Sequence, residues 1–451
     1  MKQIQTAENT VASLWSTKKP VPSEYRFSRF LLSADCPEGV LLCSTVTGEV
    51  FLLPGEEYEA IRNKRCSEAE TVQTLFARRF LVPMDFNEER ELKNLRKILT
   101  LTPRSKDITS YDILTTTNCN ARCFYCYESE MKRCNMSLET ADKAVEYIEA
   151  HRGDNPVRLA WFGGEPMLRT QVIDRICQRL TEDEVPFSSR MTSNGYLFTK
   201  GLAAHAKTDW KLNTIQITLD GTEEVYNQTK AYVGIEGSPY VRVLDNIGYL
   251  LEQKIQVDVR LNLDKHNAEN LFELLKELAS HFGGKKGINV YCSVLVSDCG
   301  FNPLEHEEGD MEQLKTVLQE LQGKIREYRL SMIEHSPELP ILKYFRCMAD
   351  NPACVQITPE GILSKCEHYI YDYTVGDLEQ GIVDKAGLAE WKKYVTPDFC
   401  KGCPLIPQCV FPSHCIAIEN GCFPVEREAK MANYRYAMRE CYEKWKEENT
   451  P

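Results

Sequence analysis

The stretch that decides the fold is Asn118-Cys-Asn-Ala-Arg-Cys-Phe-Tyr-Cys-Tyr127, which places Cys119, Cys123 and Cys126 in a C-x3-C-x2-C pattern. Three thiolates this close together can hold three irons of a cubane cluster and leave the fourth iron without a protein ligand. Clusters that only carry electrons normally have four cysteine ligands, so an open iron indicates small-molecule chemistry. A zinc knuckle is the alternative, but zinc sites usually take four ligands.

The composition excludes several classes of protein. The chain has 451 residues, a net charge of −12, 43% hydrophobic and 27% charged residues, which is typical of a soluble protein of two to three domains. The negative charge argues against nucleic-acid binding. The N-terminal residues lack the apolar core of a secretory signal, and no stretch approaches about 18 continuous apolar residues, so we expect no membrane contact. The 19 cysteines therefore indicate metal binding in a reducing cytoplasm rather than disulfides.

Strand-like and helical segments alternate from residue 111 to about 300. Six such units predict a parallel sheet with right-handed crossovers. Barrel-type α/β enzymes place their chemistry in the loops that follow the strands. The cysteine loop follows the first strand, and the later strands carry or precede further polar and glycine-rich candidates: Gly163-Gly-Glu-Pro166, Ser193-Asn-Gly195, Asp220-Gly221, Arg260 and Asn262.

These motifs together resemble the radical S-adenosylmethionine (SAM) superfamily, which implies a partial (β/α)6 barrel. The resemblance implies that Cys119, Cys123 and Cys126 bind a [4Fe-4S] cluster whose open iron chelates SAM. Turns and a structural salt bridge are the alternatives for the other motifs. The implied SAM contacts are Tyr125 for adenine, Gly163, Gly164, Glu165 and Pro166 for the amino group, Ser193 and Asn194 for the ribose, and Arg260 and Asn262 for the carboxylate or ribose.

A second cysteine-rich region spans residues 347–422 and resembles the SPASM domain, the auxiliary-cluster extension of peptide-modifying radical SAM enzymes. The resemblance implies two further [4Fe-4S] clusters. Their ligands would be Cys347, Cys354, Cys366 and Cys415 for the first, and Cys400, Cys403, Cys409 and Cys422 for the second. Five residues separate Cys409 from Cys415, where the family usually has three, so His414 is an alternative to Cys415. A zinc ribbon is the other interpretation, because C-x2-C is its common half-site.

The N-terminal residues contain strand-like segments at 26–32, 40–43 and 50–53, followed by two helical patterns and a charged linker. They resemble the winged-helix-like peptide-recognition domains of ribosomal-peptide biosynthesis, although a generic small α+β domain fits equally well. The resemblance implies that residues 21–85 bind the leader segment of a precursor peptide by strand addition at a sheet edge.

The resemblance therefore implies a cytoplasmic radical SAM/SPASM enzyme with three domains, at residues 1–105, 106–335 and 336–451. Its implied activity is the oxidative crosslinking of a ribosomally made peptide, through a thioether or C–C bond, by a 5′-deoxyadenosyl radical. Its implied electron donor is of flavodoxin or ferredoxin type. Glu367 follows Cys366, where the related sulfatase-maturating enzymes carry an acid, so we predict that Glu367 is the catalytic base. A surface carboxylate is the alternative, and His368 is the next candidate.

Two other functions remain open. The first is formylglycine formation of the anaerobic sulfatase-maturating type, although that class starts close to its cluster motif and about 100 residues precede it here. The second is a non-catalytic iron–sulfur regulator or peptide-binding module. Such a protein would need neither the Gly163-Gly-Glu-Pro166 motif nor a three-cysteine site.

Overall fold

The computed structural model describes residues 1–7, 9–63, 69–101, 107–295, 308–331, 338–413, 415 and 424–449. Two predicted metal ligands, His414 and Cys422, lie outside these ranges. No helix among the described residues is long and apolar enough to cross a membrane.

The N-terminal region is built on a four-stranded antiparallel sheet with the order β1-β5-β4-β3, and β2 and β6 form a separate pair. Its elements are β1 (Lys2–Gln5), α1 (Thr10–Trp15), β2 (Tyr25–Phe27), β3 (Leu31–Cys36), β4 (Gly39–Ser44), β5 (Val50–Leu53), α2 (Gly55–Arg62), α3 (Ala69–Ala77), β6 (Leu81–Pro83) and α4 (Glu88–Leu101). The predicted strand at 26–32 is therefore two strands, which pair with different partners.

Six parallel strands form the barrel, as the alternating pattern predicts, and their apolar side chains fill the largest core of the protein. The strands are β7 (Ser110–Thr116), β8 (Val157–Gly163), β9 (Phe187–Ser193), β10 (Leu212–Leu219), β11 (Gln256–Leu263) and β12 (Ile288–Val294). The helices are α5 (Leu138–His151), α6 (Thr170–Glu182), α7 (Lys200–Thr208), α8 (Glu223–Lys230), α9 (Pro239–Glu252), α10 (Ala268–Phe282) and α11 (Glu308–Glu327). A short 3₁₀ turn (Pro166–Arg169) follows β8.

The C-terminal region extends the barrel sheet. Its strand β13 pairs in parallel with β7, so that Cys354 lies opposite Ser110, and three further strands continue the sheet to ten. The elements are β13 (Cys354–Ile357), β14 (Ile362–Ser364), β15 (Thr374–Asp377), β16 (Gly381–Ile382), α12 (Lys385–Glu390), β17 (Tyr394–Val395), β18 (Phe411–Pro412) and α13 (Pro424–Asn449), with 3₁₀ turns at Asp398–Cys400 and Ile406–Gln408.

The two ends of the chain pack against each other. Trp15, Phe30 and Leu95 of the N-terminal region share one apolar cluster with Cys400 and Phe411. Helix α13 lies against β3, β1 and β4. The N-terminal region therefore helps to hold the C-terminal cysteines in place.

Candidate active site

The cysteine loop lies directly after β7, at the end of the barrel where all six parallel strands finish. Burial raises the pKa of the Cys119 thiol to about 12 and that of Cys126 to about 11, and the neighbouring Cys123 adds to both shifts. The loop is held by its own backbone, because Ala121 N donates to Cys119 Sγ at 3.3 Å and Cys126 N donates to Cys123 O at 3.1 Å. A metal that binds here has to displace the thiol protons.

The two glycines after β8 pack against the cysteine loop. A Cβ atom on Gly163, whose φ is +116°, would lie 2.1 Å from the carbonyl oxygen of Thr116. A Cβ atom on Gly164 would lie 2.3 Å from the carbonyl oxygen of Asn118. The resemblance implies that these glycines contact SAM, and the structure shows that they also make room for the backbone that leads into the loop.

Glu165 and the Ser193-Asn-Gly195 segment form one hydrogen-bonded unit. The Glu165 carboxylate is 1% exposed and accepts from Met167 N at 3.0 Å, from Ser193 Oγ at 2.8 Å and from Asn194 N at 2.8 Å. Burial raises the pKa of Glu165 to about 7, although these hydrogen bonds oppose the shift. The Asn194 side chain in turn donates to Asn120 Oδ1 at 2.7 Å. The structure therefore joins two predicted motifs to the cysteine loop, and Pro166 starts the 3₁₀ turn beside them.

A buried polar cluster holds Tyr125, and only some of its members are predicted from the sequence. Its hydroxyl lies 2.9 and 2.8 Å from the two carboxylate oxygens of Asp220, and it accepts from Lys230 Nζ at 2.9 Å. Asn262 Nδ2 donates to Asp220 Oδ1 at 2.9 Å. No sequence signal separates Lys230 from an ordinary solvated lysine at a helix end, and its burial alone reveals its place in the cluster.

A cavity of about 1020 Å³ connects the barrel strand ends to the C-terminal region. Tyr125, Arg260 and Asn262 lie on its barrel side. Arg260 Nη2 donates to Ser293 Oγ at 3.3 Å, while its Nε is buried without a hydrogen-bond partner among the described residues. The predicted residues that line this cavity are Tyr125, Gly163, Gly164, Arg260, Asn262, Cys347, Cys366, Glu367, His368 and Cys415.

Four carboxylates line this cavity, and one of them, Asp258, lies on β11. Glu367 comes from the loop after β14, Asp112 from β7, and Glu128 from the segment just beyond the cysteine loop. Burial raises the pKa of Asp112 to about 6 and that of Glu128 to about 7, and the charge of Glu367 adds to both shifts. The His368 ring lies 4.7 Å from the Tyr127 ring. Asp112 and Glu128 are site residues that the sequence argument did not identify.

The first C-terminal cysteine set gathers around this cavity. Burial raises the pKa of Cys347 to about 12 and that of Cys366 to about 11, and Cys415 contributes to both shifts. Cys354 lies on β13, where the buried Lys365 ammonium interacts with both Cys354 and Cys347. The structure thus places the four predicted ligands in one neighbourhood, with three of them beside the cavity.

The second set lies further from the cavity. Cys400 is buried, and Cys403 and Cys409 pack against the same apolar cluster. The Arg96 guanidinium of α4 donates to the carbonyl oxygens of Ile406 at 2.9 Å and Cys409 at 2.9 Å. Within the described ranges, no three His, Cys, Asp or Glu side chains are arranged to hold a single metal ion. A four-iron cluster spreads its cysteine sulfurs more widely than a single ion does.

Comparison with known proteins gives the same assignment for the barrel. The Radical SAM superfamily matches residues 113–278. A probable GTP 3′,8-cyclase of Methanococcus maripaludis is 29% identical over 132 residues, which are 29% of this chain and 43% of that protein. The GTP 3′,8-cyclase of Clostridium perfringens is 24% identical over 305 residues, which are 62% of this chain and 87% of that protein. The chain therefore spans less than half of the first of these relatives.

Two solved structures share the fold. One is anSMEcpe with bound AdoMet, with a TM-score of 0.56 and 14% identity over 75% of this chain and 96% of that one. The other is Streptococcus suis SuiB bound to its precursor peptide SuiA, with a TM-score of 0.52 and 13% identity over 88% of this chain and 97% of that one. The family match, the parallel barrel and the three-cysteine loop after its first strand show that residues 113–278 of this chain form a radical SAM domain.

Proposed function

We propose that this enzyme modifies a ribosomally made peptide by oxidative crosslinking, through a thioether or a C–C bond. The observation that carries the proposal is the cavity that runs from Tyr125 and Arg260 at the strand ends to Glu367 and the first C-terminal cysteine set. A peptide side chain in this cavity would lie between the cysteine loop and a carboxylate. The likeness to SuiB, which was solved with a precursor peptide, supports the same substrate class.

The residues around the cysteine loop fit a [4Fe-4S] cluster with SAM. Cys119, Cys123 and Cys126 are the ligands, and buried polar atoms without partners among the described residues are available nearby on Asn120, Arg260 and Asn262: Nδ2, Nε and Oδ1, respectively. When bound, the cluster and SAM would supply the 5′-deoxyadenosyl radical that removes a hydrogen atom from the substrate. Tyr125 and the Glu165 unit fix the shape of the site before any ligand enters.

We further propose that the C-terminal cysteines hold two auxiliary [4Fe-4S] clusters. Cys347, Cys354, Cys366 and Cys415 are the first ligand set, and Cys400, Cys403, Cys409 and Cys422 are the second. Cys400 is buried and shares one apolar cluster with Cys403 and Cys409, which supports this arrangement. Cys354, Cys366 and Cys415 are partly buried. The first set is the closer one to the substrate cavity.

Glu367 is the proposed base. Crosslinking removes two hydrogens from the peptide, one as a hydrogen atom and the other as a proton and an electron. The electron would pass to an auxiliary cluster, and a proton acceptor has to face the substrate. The Glu367 side chain lines the cavity and is only partly exposed. His368 is the next candidate, because it lines the same wall.

The variant Glu367→Gln tests this role, since it keeps the size of the side chain and removes its basicity. We expect 5′-deoxyadenosine formation to continue while crosslinked product falls by about 10²–10⁴-fold. Asp372→Asn is the matched control, because Asp372 is an exposed carboxylate of the same region. A wild-type product yield from Glu367→Gln would remove this residue from the mechanism.

The leader of the proposed peptide substrate would bind the N-terminal residues 21–85, and a short open reading frame beside this gene is the first place to look for that peptide. The β3 edge of the sheet is a candidate for strand addition. Two arginines of α13 already donate hydrogen bonds to this edge. Arg435 Nε donates to Ser33 O at 3.1 Å, and Arg439 Nε donates to Asp35 O at 3.4 Å. A leader that pairs here has to displace these contacts.

The main experiment is to incubate the anaerobically reconstituted enzyme with this peptide, SAM and a flavodoxin or ferredoxin-type donor. We expect a product that has lost two hydrogen atoms and that gives a crosslinked fragment in tandem mass spectrometry. An aldehyde that reacts with a hydrazine probe would instead favour formylglycine formation, the alternative supported by the likeness to anSMEcpe, an anaerobic sulfatase maturase. SuiB, which was solved with its precursor peptide, matches 88% of this chain against 75% for anSMEcpe, which favours a precursor peptide as the substrate.

A further inference from the structure

Lys230 is the last residue of α8, yet its ammonium group is buried within the barrel end. Its side chain is 5% exposed and forms a 3.0 Å ion pair with Asp220, whose side chain is 3% exposed. The rings of Tyr125 and Tyr226 lie 5.5 and 5.8 Å from its Nζ atom and screen it from water.

Lys230 contacts the cysteine loop through both its side chain and its backbone. Its Nζ donates to the Tyr125 hydroxyl at 2.9 Å, and its backbone carbonyl accepts from Arg122 N at 2.8 Å. One turn further, Val233 N donates to Asn120 O at 2.9 Å. The left-handed conformation of Ala231, with φ of +43°, turns the chain from the helix back toward the loop.

A buried ion pair of this kind is a costly way to gain stability, because both charges lose their hydration. Such a pair can instead serve to hold the groups around it in one geometry. Here the pair fixes the Tyr125 hydroxyl, and Tyr125 lies between Cys123 and Cys126 in the loop. The ammonium group therefore lies beside the loop, 5.5 Å from the centre of the Tyr125 ring.

We propose that Lys230 is a positioning residue for the cysteine loop: it holds Tyr125 in one orientation and places one fixed positive charge beside the loop. The inference rests on the proposed cluster at this loop and does not depend on the peptide substrate. A nearby cation favours an added electron, so this charge stabilises the reduced form of a bound cluster. The hydrogen bond to the hydroxyl has a separate effect, because it holds the Tyr125 ring in the orientation in which it would contact SAM.

Three variants separate the two effects. Lys230→Met removes both the charge and the hydrogen bond, Tyr125→Phe removes only the hydrogen bond, and Lys230→Arg keeps a cation and several donors. Tyr226→Phe is the matched control, since it removes a buried hydroxyl that bonds to Tyr232 at 3.0 Å and not to Tyr125. The measurements are iron content, the midpoint potential from a redox titration followed by EPR, and KM and kcat for SAM cleavage under dithionite without peptide.

For Lys230→Met we expect full iron content, a lower midpoint potential, and a KM for SAM that rises about tenfold while kcat changes less. Tyr125→Phe should raise KM similarly and leave the potential close to that of the wild type. Lys230→Arg should restore the potential, and Tyr226→Phe should match the wild type in both measurements. A wild-type KM and potential in Lys230→Met would overturn the proposal.

If Lys230→Met does not fold, Tyr125→Phe still decides the positioning role, because an unchanged KM for SAM would contradict it. SAM cleavage by the wild-type enzyme is measured in the same series. Its absence would count against the proposed cluster, whereas its presence together with unaffected variants would count against Lys230 alone.

Discussion

The cysteine loop of the barrel and the second C-terminal cysteine set are supported in opposite ways. The barrel loop receives its contacts from the ends of neighbouring barrel elements, through Glu165, Asn194 and Lys230. The second set, which includes Cys400 and Cys409, receives its contacts from the two ends of the chain. The barrel loop therefore has its supporting contacts once the barrel has folded. The second set is assembled only when the two ends of the chain pack together.

The contacts of the second set show how far this dependence extends. Thr45 Oγ1 donates to Pro404 O at 2.7 Å, and Gln408 Nε2 donates back to Thr45 O at 2.9 Å. Tyr434 of α13 donates to Gln408 Oε1 at 3.2 Å. Arg96 adds its contacts from α4. Damage to the N-terminal region should thus reach the second cysteine set before it reaches the barrel loop.

The largest effect is expected from Cys119→Ala, Cys123→Ala and Cys126→Ala combined. SAM cleavage under dithionite should be abolished, while about eight of about twelve irons remain if two auxiliary clusters are bound. Cys134→Ala is the control, because Cys134 is a partly buried cysteine beside the same loop that is not a predicted ligand. Undiminished 5′-deoxyadenosine formation in the triple variant would show that the barrel loop is not the SAM site.

A smaller and more selective effect is expected from Arg96→Met, which removes the guanidinium donor from the carbonyl oxygens of Ile406, Pro407 and Cys409. Ile406 O still accepts from Cys409 N and Pro407 O from Lys343 N, so Cys409 O is the acceptor that loses its donor. Unmatched buried acceptors cost about 1–3 kcal/mol, so we expect a lower free energy of unfolding. About four of about twelve irons should be lost, and SAM cleavage should continue.

The control for Arg96→Met is Lys93→Met, because Lys93 lies exposed on the same helix. Full iron content in Arg96→Met would mean that the second cysteine set does not need the N-terminal region. Loss of SAM cleavage together with the iron would mean that the barrel loop is not independent of that region either.

The smallest effect concerns the edge of β3. Arg435→Ala with Arg439→Ala frees the carbonyl oxygens of Ser33 and Asp35, and exposed contacts of this kind contribute less than about 1 kcal/mol each. We expect leader-peptide affinity, measured by fluorescence anisotropy, to rise about two- to fivefold. Asn433→Ala, at an exposed position of the same helix, should leave it unchanged. Weaker leader binding in the double variant would show that the arginines bind the leader instead.

The same contrast explains what could be predicted from the sequence. The six barrel strands and the cysteine loop follow from alternating patterns and a compact motif, which are local properties of the chain. The pairing of β13 with β7 joins Cys354 to Ser110, and no local pattern indicates a partner so distant in sequence. The burial of Lys230 was missed for the same reason, because its partners Tyr125 and Asp220 lie on other elements.

The N-terminal strands show a tertiary contact that overrides a local pattern. The sequence pattern predicts one strand over residues 26–32, yet the strand breaks between Phe27 and Leu31. Ser28 Oγ donates to Glu88 Oε1, and Arg29 N lies 3.2 Å from the same oxygen. The buried carboxylate of Glu88 draws this backbone out of the sheet, and the chain then pairs with two different partners.

The pairing of β13 with β7 has a consequence for how substrates reach the cavity. Because β7 leads directly into the cysteine loop and β14 leads directly into Glu367, one continuous hydrogen-bonded sheet carries both walls of the cavity. Hinge opening between these walls would have to break four consecutive pairings between β7 and β13. The sheet therefore fixes the separation of these two walls, and with it the width of the cavity along this seam.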